Sequence, residues 1–322
     1  MATLLDPELD IFVSETESFS GPATNDFTVI REGYNRMAQH FQAPHPEGLL
    51  IENSAIRGLA GDIPVRVYRP ANLSSPCPTL LYFHGGGWIV GDLESHDSIA
   101  ADLAKEANIQ VIAVDYRLAP EHLFPAAVDD CWTVLHSLLQ APELFAVDIQ
   151  RLVLGGDSAG ANLAAALTLL LREQQKGNTV PGFTAGLKGQ LLIYPALSSE
   201  TLPSRITQAK APLFSAEEMD IYLRYYLGRA VTDADKKDPR LFPAQARDFS
   251  NLPPAFLSAA ELDPLADDVP DYARKLIATG SKAKYLVEPG LMHGWLRARH
   301  RSPRAAAAFA RVVAGLKKLL ES

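Results

Sequence analysis

The sequence predicts an α/β fold with a mostly parallel central sheet and helices on both faces. Three observations carry this reading. Short apolar runs alternate with longer amphipathic ones from about Ile63 to the C-terminus. Residues 79–83, TLLYF, are apolar without a break, as a strand covered on both faces requires. A glycine-flanked serine at 156–160 stands between a strand-like LVLG and a helix-like ANLAAALTLLL.

In chain order, residues 26–42 place Phe27, Ile30, Tyr34, Met37 and Phe41 at three- and four-residue spacings, which predicts an amphipathic helix ended by the two prolines of 43–48. Val65, Val67 and Tyr68 predict a half-buried strand, and 79–83 a central one. Residues 95–108 read as a helix capped by Ser95, and 109–114 as the next strand. Residues 125–139 form a helix with proline in its first turn. A strand at 152–154, a long helix at 159–175 and strands at 191–194, 255–259 and 284–287 follow. Ser302 and Pro303 open a last helix whose stripe is Phe309, Val312, Val313, Leu316 and Leu320. The proline-rich interval 198–253 breaks the alternation and carries an aromatic helix at 215–227, so it reads as an insertion over one end of the sheet.

Composition narrows the classes. At 322 residues the chain has room for one large domain or two small ones. With 47% apolar and 21% charged residues, disorder is excluded as a whole-chain reading. The net charge of −8 argues against nucleic acid as a partner. Two cysteines, Cys77 and Cys131, are too few for a disulfide framework or a four-thiolate zinc site and read as reduced buried thiols. The N-terminus lacks the basic start and apolar core of a secretory signal, and no window is long enough to span a bilayer. The expectation is a cytoplasmic protein.

Chemistry concentrates in two motifs. Gly156-Asp157-Ser158-Ala159-Gly160 fits G-x-S-x-G, the pattern of a serine exposed on a tight strand-to-helix turn. A serine hydroxyl is a weak nucleophile and needs a base. Downstream of Ser158 the histidines are His293 and His300. His293 lies in a glycine-flanked loop after the last strand, whereas His300 sits among arginines that would lower its basicity, so His293 is preferred. The acid that orients it should close the preceding strand: Asp263 is the candidate, with Glu261, Asp267 and Asp268 as rivals. His84-Gly85-Gly86-Gly87-Trp88 ends the central strand, and its glycines let backbone amides converge on a forming oxyanion. Gly85, Gly86 and Ala159 are the expected donors. His84 reads as an organiser of that loop and Trp88 as pocket wall or core. His96 and His122 lack metal-ligand spacing, and no metal or cofactor is expected. The basic run 297–304 reads as a solvated face or a surface ion-pair set.

Together, HGGGW at 84–88, DYRLAPEHLFPAAVDD at 115–130, GDSAGAN at 156–162, ELDPLAD at 261–267 and MHGW at 292–295 resemble the hormone-sensitive-lipase-like (family IV) esterases of the α/β-hydrolase superfamily. The resemblance runs from about Ile63 to the C-terminus. It implies the α/β-hydrolase fold with a helical cap, a triad of Ser158, Asp263 and His293, and an oxyanion hole of Gly85, Gly86 and Ala159. It implies a cap made of residues 1–55 and an insertion at about 198–250, after the sixth or seventh strand, on a catalytic domain of residues 56–322. Family members are commonly carboxylesterases of short to medium acyl chains, and many form dimers, so a small-molecule ester and a homodimer are the implied partners. Other uses of the same triad are an amidase, lactonase or carbamate hydrolase; members without the histidine act as receptors, and here His293 is present. Many members carry phenylalanine where this chain has Trp295, which is expected to narrow the pocket near the base.

Overall fold

The computed structural model describes residues 6–21, 24–177 and 187–321. Residues 1–5 and 22–23 of the expected N-terminal cap portion lie outside them. The chain opens with two helices, α1 (Pro7–Ser18) and α2 (Phe27–His40), the second capped by Asp26, whose side chain accepts the Thr28 amide. The sheet then begins with β1 (Leu49–Gly58) and β2 (Gly61–Pro70), paired antiparallel along their whole length. The expected division after residue 55 therefore falls inside β1, and the sheet claims residues 49–55. β1 has no strand signature in the sequence, because its side chains are mostly exposed and carry no apolar alternation.

Six strands follow: β3 (Cys77–Phe83), β4 (Gln110–Val114), β5 (Val147–Asp157), β6 (Gly189–Ile193), β7 (Ala255–Leu262) and β8 (Ala283–Met292). In space the order is β1-β2-β4-β3-β5-β6-β7-β8, and β3 to β8 run parallel. The helices between them are α3 (Asp97–Ala107), α4 (Ala126–Gln140), α5 (Ala159–Lys176), α6 (Pro203–Thr207), α7 (Ala216–Leu227), α8 (Asp268–Ala278) and α9 (Pro303–Glu321). Side chains alternate across each strand. Leu80 and Tyr82 meet α3 and α9 on one face, while Leu81 and Phe83 meet α4, α5 and α8 on the other. Burial on both faces explains why β3, β4 and β6 are buried at every residue.

Other details depart from expectation. Helix α3 starts at Asp97, and Ser95 serves the preceding turn instead, accepting the Asp92 amide at 2.8 Å and donating its own to Asp92 Oδ1 at 2.6 Å. The insertion lies between β6 and β7; its helix α7 starts from a capping box, in which Ser215 and Glu218 satisfy each other's amides. The basic run 297–304 divides: Arg297 and Arg299 are buried, at 8% and 4% exposed, whereas Arg301 and Arg304 are exposed and pair with Glu15 and Asp6, as a surface ion-pair set would. Arg299 is paired with Asp102. Both cysteines are free and buried. Among the described residues, no helix is long and apolar enough to cross a membrane.

Candidate active site

The C-terminal ends of β3, β5, β7 and β8 converge on Ser158. Ser158 joins β5 to α5 with φ 52° and ψ −118°, a backbone region that side chains avoid. Neighbouring contacts hold it there. Its amide donates to Ile193 O at 2.9 Å. A Cβ on Gly156 or Gly160 would come within 2.2 or 1.9 Å of Phe83 O, so only glycine lets the turn press against the end of β3. The serine is left half-exposed between buried neighbours.

His293 follows β8 directly. Its Nε2 is 2.8 Å from Ser158 Oγ and its Nδ1 is 2.7 Å from Asp263 Oδ2. Nδ1 can only donate to a carboxylate, which leaves Nε2 as the acceptor of the serine proton. Asp263, one residue past β7, is fully buried, and its Oδ1 accepts the Leu265 amide at 2.8 Å. The rival acids are engaged elsewhere. Glu261 accepts the Gly290 amide, Asp267 the Ser204 amide, and Asp268 pairs with Arg205 and accepts two amides. His300 pairs with Asp102 instead.

The glycine loop departs from expectation at its first residue. Gly85 is buried, and its amide donates to Asp157 Oδ1 at 2.9 Å, so that donor is already spent. Gly86 and Gly87, at φ 118° and 59°, line the cavity beside Ser158 together with Ala159, the first residue of α5. His84 does organise the loop. Its Nδ1 lies 2.8 Å from Gly85 O, and its ring stacks on Tyr116 at 4.3 Å. Burial, and then the adjacent His96, push its imidazole down to about 4.

The cavity has a volume of about 150 Å³, the size that one aromatic ring fills. Trp88, Leu223, Leu241 and Phe242 give it an apolar end, while Tyr34, His96 and Arg297 give it a polar one. Phe214 stacks on His293 at 4.4 Å. Trp295 does not narrow this space, because it is fully buried behind Tyr194 and packs edge-on against it. Among the described residues, no cluster of histidine, cysteine and acidic side chains could hold a metal ion. Asp157, Gly87, His96 and Arg297 were missed by sequence reasoning. The glycine triplet was the available signal for Gly87; the other three meet only through the fold.

A family model described as alpha/beta hydrolase fold matches residues 80–297. Carboxylesterase NlhH of Mycobacterium tuberculosis is 39% identical over 81% of this chain and 80% of its own. Ethyl acetate hydrolase of Pseudomonas putida is 37% identical over 73% and 72%. A solved ester-hydrolase from the metagenome of Lake Arreo, complexed with a derivative of bipyridine phosphonate, superposes with a TM-score of 0.89 at 34% identity, covering 99% of this chain and all of that one. The chain belongs to the hormone-sensitive-lipase-like esterases of the α/β-hydrolase superfamily. It is a carboxylic-ester hydrolase. In this esterase, strand ends and one helix N-terminus bring a strained serine, an imidazole and a buried carboxylate into one hydrogen-bonded row.

Proposed function

We propose that the esterase hydrolyses short- to medium-chain acyl esters through an acyl-enzyme on Ser158. The observation that carries this is the single row Ser158–His293–Asp263, with contacts of 2.8 and 2.7 Å. Ser158 Oγ attacks the acyl carbonyl as His293 Nε2 takes its proton. Asp263 holds the imidazole's tautomer and balances the imidazolium. The amides of Gly86, Gly87 and Ala159 receive the oxyanion, aided by the positive end of α5. The tetrahedral intermediate collapses, the alcohol leaves with the proton from His293, and water repeats the sequence to release the acid. The small cavity and the relatives named for ethyl acetate and acetyl esters support a short acyl group. Helices α1 and α2 and the 198–250 insertion act as a cap, since Phe12, Tyr34, Phe214 and Tyr222 line the cavity.

The enzyme works in a reducing cytoplasm, which suits its buried thiols. It forms a homodimer, for which Tyr285 and Val287, exposed on the edge strand β8, offer apolar surface. Light scattering tests the dimer.

The central test is Ser158→Ala against p-nitrophenyl butyrate. The loss expected is about 10⁴-fold or more in kcat, together with loss of covalent labelling by a fluorophosphonate probe. Near-wild-type turnover by the purified variant would falsify the assignment. An ester panel from acetate to laurate reads the acyl range; a maximum at laurate overturns the short-chain reading.

A further inference from the structure

We propose that Asp157 is the positioning residue of the oxyanion loop, anchoring Gly85 so that the Gly86 and Gly87 amides face Ser158. This rests on the reading of Ser158 as nucleophile. Asp157 is the last residue of β5 and the chain neighbour of Ser158. Its carboxylate is turned toward the adjacent strand β3, not into bulk water, and it is buried. Oδ1 accepts the Gly85 amide at 2.9 Å and the Tyr82 hydroxyl at 2.6 Å. Oδ2 accepts the Tyr194 hydroxyl at 3.3 Å, and the Tyr194 ring lies 4.8 Å from that of His293. One carboxylate thus touches the first residue of the glycine loop and the residue flanking the base.

The loop needs an anchor. Gly86 and Gly87 occupy positive-φ conformations, and three consecutive glycines have the largest conformational freedom to lose. A hydrogen bond from a backbone amide to a charged carboxylate is about twice as strong as a neutral one. Gly85 is glycine for the same reason: a Cβ there would stand 2.5 Å from Asp157 Oδ2. So the first glycine makes room for the carboxylate, and the next two present amides to the substrate.

A bare anion under an oxyanion site would oppose the charge that forms there. The donors on Asp157 and the buried Arg297 guanidinium beyond His96 offset it. His96 Nε2 lies 3.6 Å from Oδ1, and Arg297 Nη2 lies 3.4 Å from the same His96 nitrogen while also donating to Tyr34 at 2.9 Å. Burial pushes the Asp157 carboxyl up, but His96, Tyr82 and Arg297 outweigh it and hold it well below the usual carboxylate range.

The test compares Asp157→Ala, Asp157→Asn and Gly85→Ala. Each is measured for kcat and KM on p-nitrophenyl butyrate, for inhibition by an alkylboronic acid as transition-state analogue, and for melting temperature. Asp157→Ala is expected to lose roughly 100-fold in kcat with KM within about 3-fold, and boronate affinity should fall in parallel. Asp157→Asn keeps an oxygen for the Gly85 amide and recovers at least about a tenth of the wild-type kcat. Should Asp157→Ala fail to fold, Asp157→Asn and Gly85→Ala carry the test. Gly85→Ala then shows the parallel loss of kcat and boronate affinity, and Asp157→Asn does not. Unchanged kcat in Gly85→Ala and Asp157→Ala overturns the proposal, as does an Asp157→Asn variant that folds and loses as much as Asp157→Ala. Fluorophosphonate labelling of Ser158 in the wild type reads the nucleophile separately. An unlabelled Ser158 overturns the underlying reading, whereas a labelled Ser158 with unchanged variants overturns the role of Asp157 alone.

Discussion

The cavity has two kinds of wall. On one side every chemical group stands at a strand end or a helix start: Gly86 and Gly87 after β3, Ser158 after β5, Asp263 after β7, His293 after β8. Their positions are set by sheet register and by short hydrogen bonds to buried backbone, such as Ser158 N to Ile193 O and Leu265 N to Asp263 Oδ1. On the other side α1, α2, α7 and the loop before α7 contribute side chains only, among them Phe12, Tyr34, Phe214 and Tyr222. They attach through separate contacts: Arg31 to Ile89 O and Ala119 O at 2.9 Å each, Asn35 to Asp92 at 2.7 Å, Tyr34 to Arg297 at 2.9 Å. A wall built from sheet ends fixes atoms finely enough for bond-making; a wall built from docked helices shapes space. Substitutions in the first should change kcat for every ester, and substitutions in the second should change which ester is preferred.

The largest effect tests the first wall. Asp263→Asn keeps the packing but reverses the hydrogen bond to His293, because an amide NH₂ facing Nδ1 forces the wrong tautomer. The expected loss in kcat is about 10⁴-fold on all esters alike, with little change in melting temperature. A loss confined to some esters would break the division between walls. The same wall should also be sensitive to acid. His84 is buried and neutral, with an imidazole pushed down to about 4 by burial and by His96. In the unfolded chain it takes up its proton near 6.5, so between 6.5 and 4 the folded state binds fewer protons. Stability is then full above pH 6.5 and is lost as pH falls toward 4. Between pH 7 and pH 5 the loss is about 2 kcal/mol. Urea unfolding of the wild type and of His84→Gln at both pH values reads it. An equal pH dependence in the two proteins would remove His84 as its source.

The two walls also differ in how far they could be read from sequence. Seven of the eight strands, both motif loops and the grouping of Ser158, Asp263 and His293 were legible, because a buried parallel strand must be apolar throughout and a nucleophile on a turn needs glycines beside it. β1 was not legible, because an exposed antiparallel edge strand has no apolar pattern to betray it. Gly85 cannot be told from its neighbours by sequence for a related reason. Three identical glycines look equivalent in a sequence, and only the Asp157 carboxylate beneath the first one separates them. The roles of Arg297 and His96 depend on β8, α3 and α2 meeting, which no local pattern announces. Trp295 was expected to shape the pocket from its place beside His293, yet the turn at Gly294, φ 76°, sends the two rings apart.

The smallest effect tests the second wall, at the point where it comes nearest the first. Phe214 belongs to the loop before α7, and its ring stacks on His293 at 4.4 Å and on Tyr222 at 6.1 Å. If it shapes space, Phe214→Ala adds room at the cavity without moving His293, which Asp263 and Ser158 still hold from both nitrogens. Each methylene that finds new apolar surface is worth about 0.8 kcal/mol, so a few suffice to shift the ratio of kcat/KM for octanoate over acetate about 10-fold toward the longer ester. Turnover of acetate should stay within a few-fold of wild type. A uniform fall in kcat with an unchanged ratio would place Phe214 with the groups that hold the imidazole, and the boundary between the walls would then run through the loop before α7.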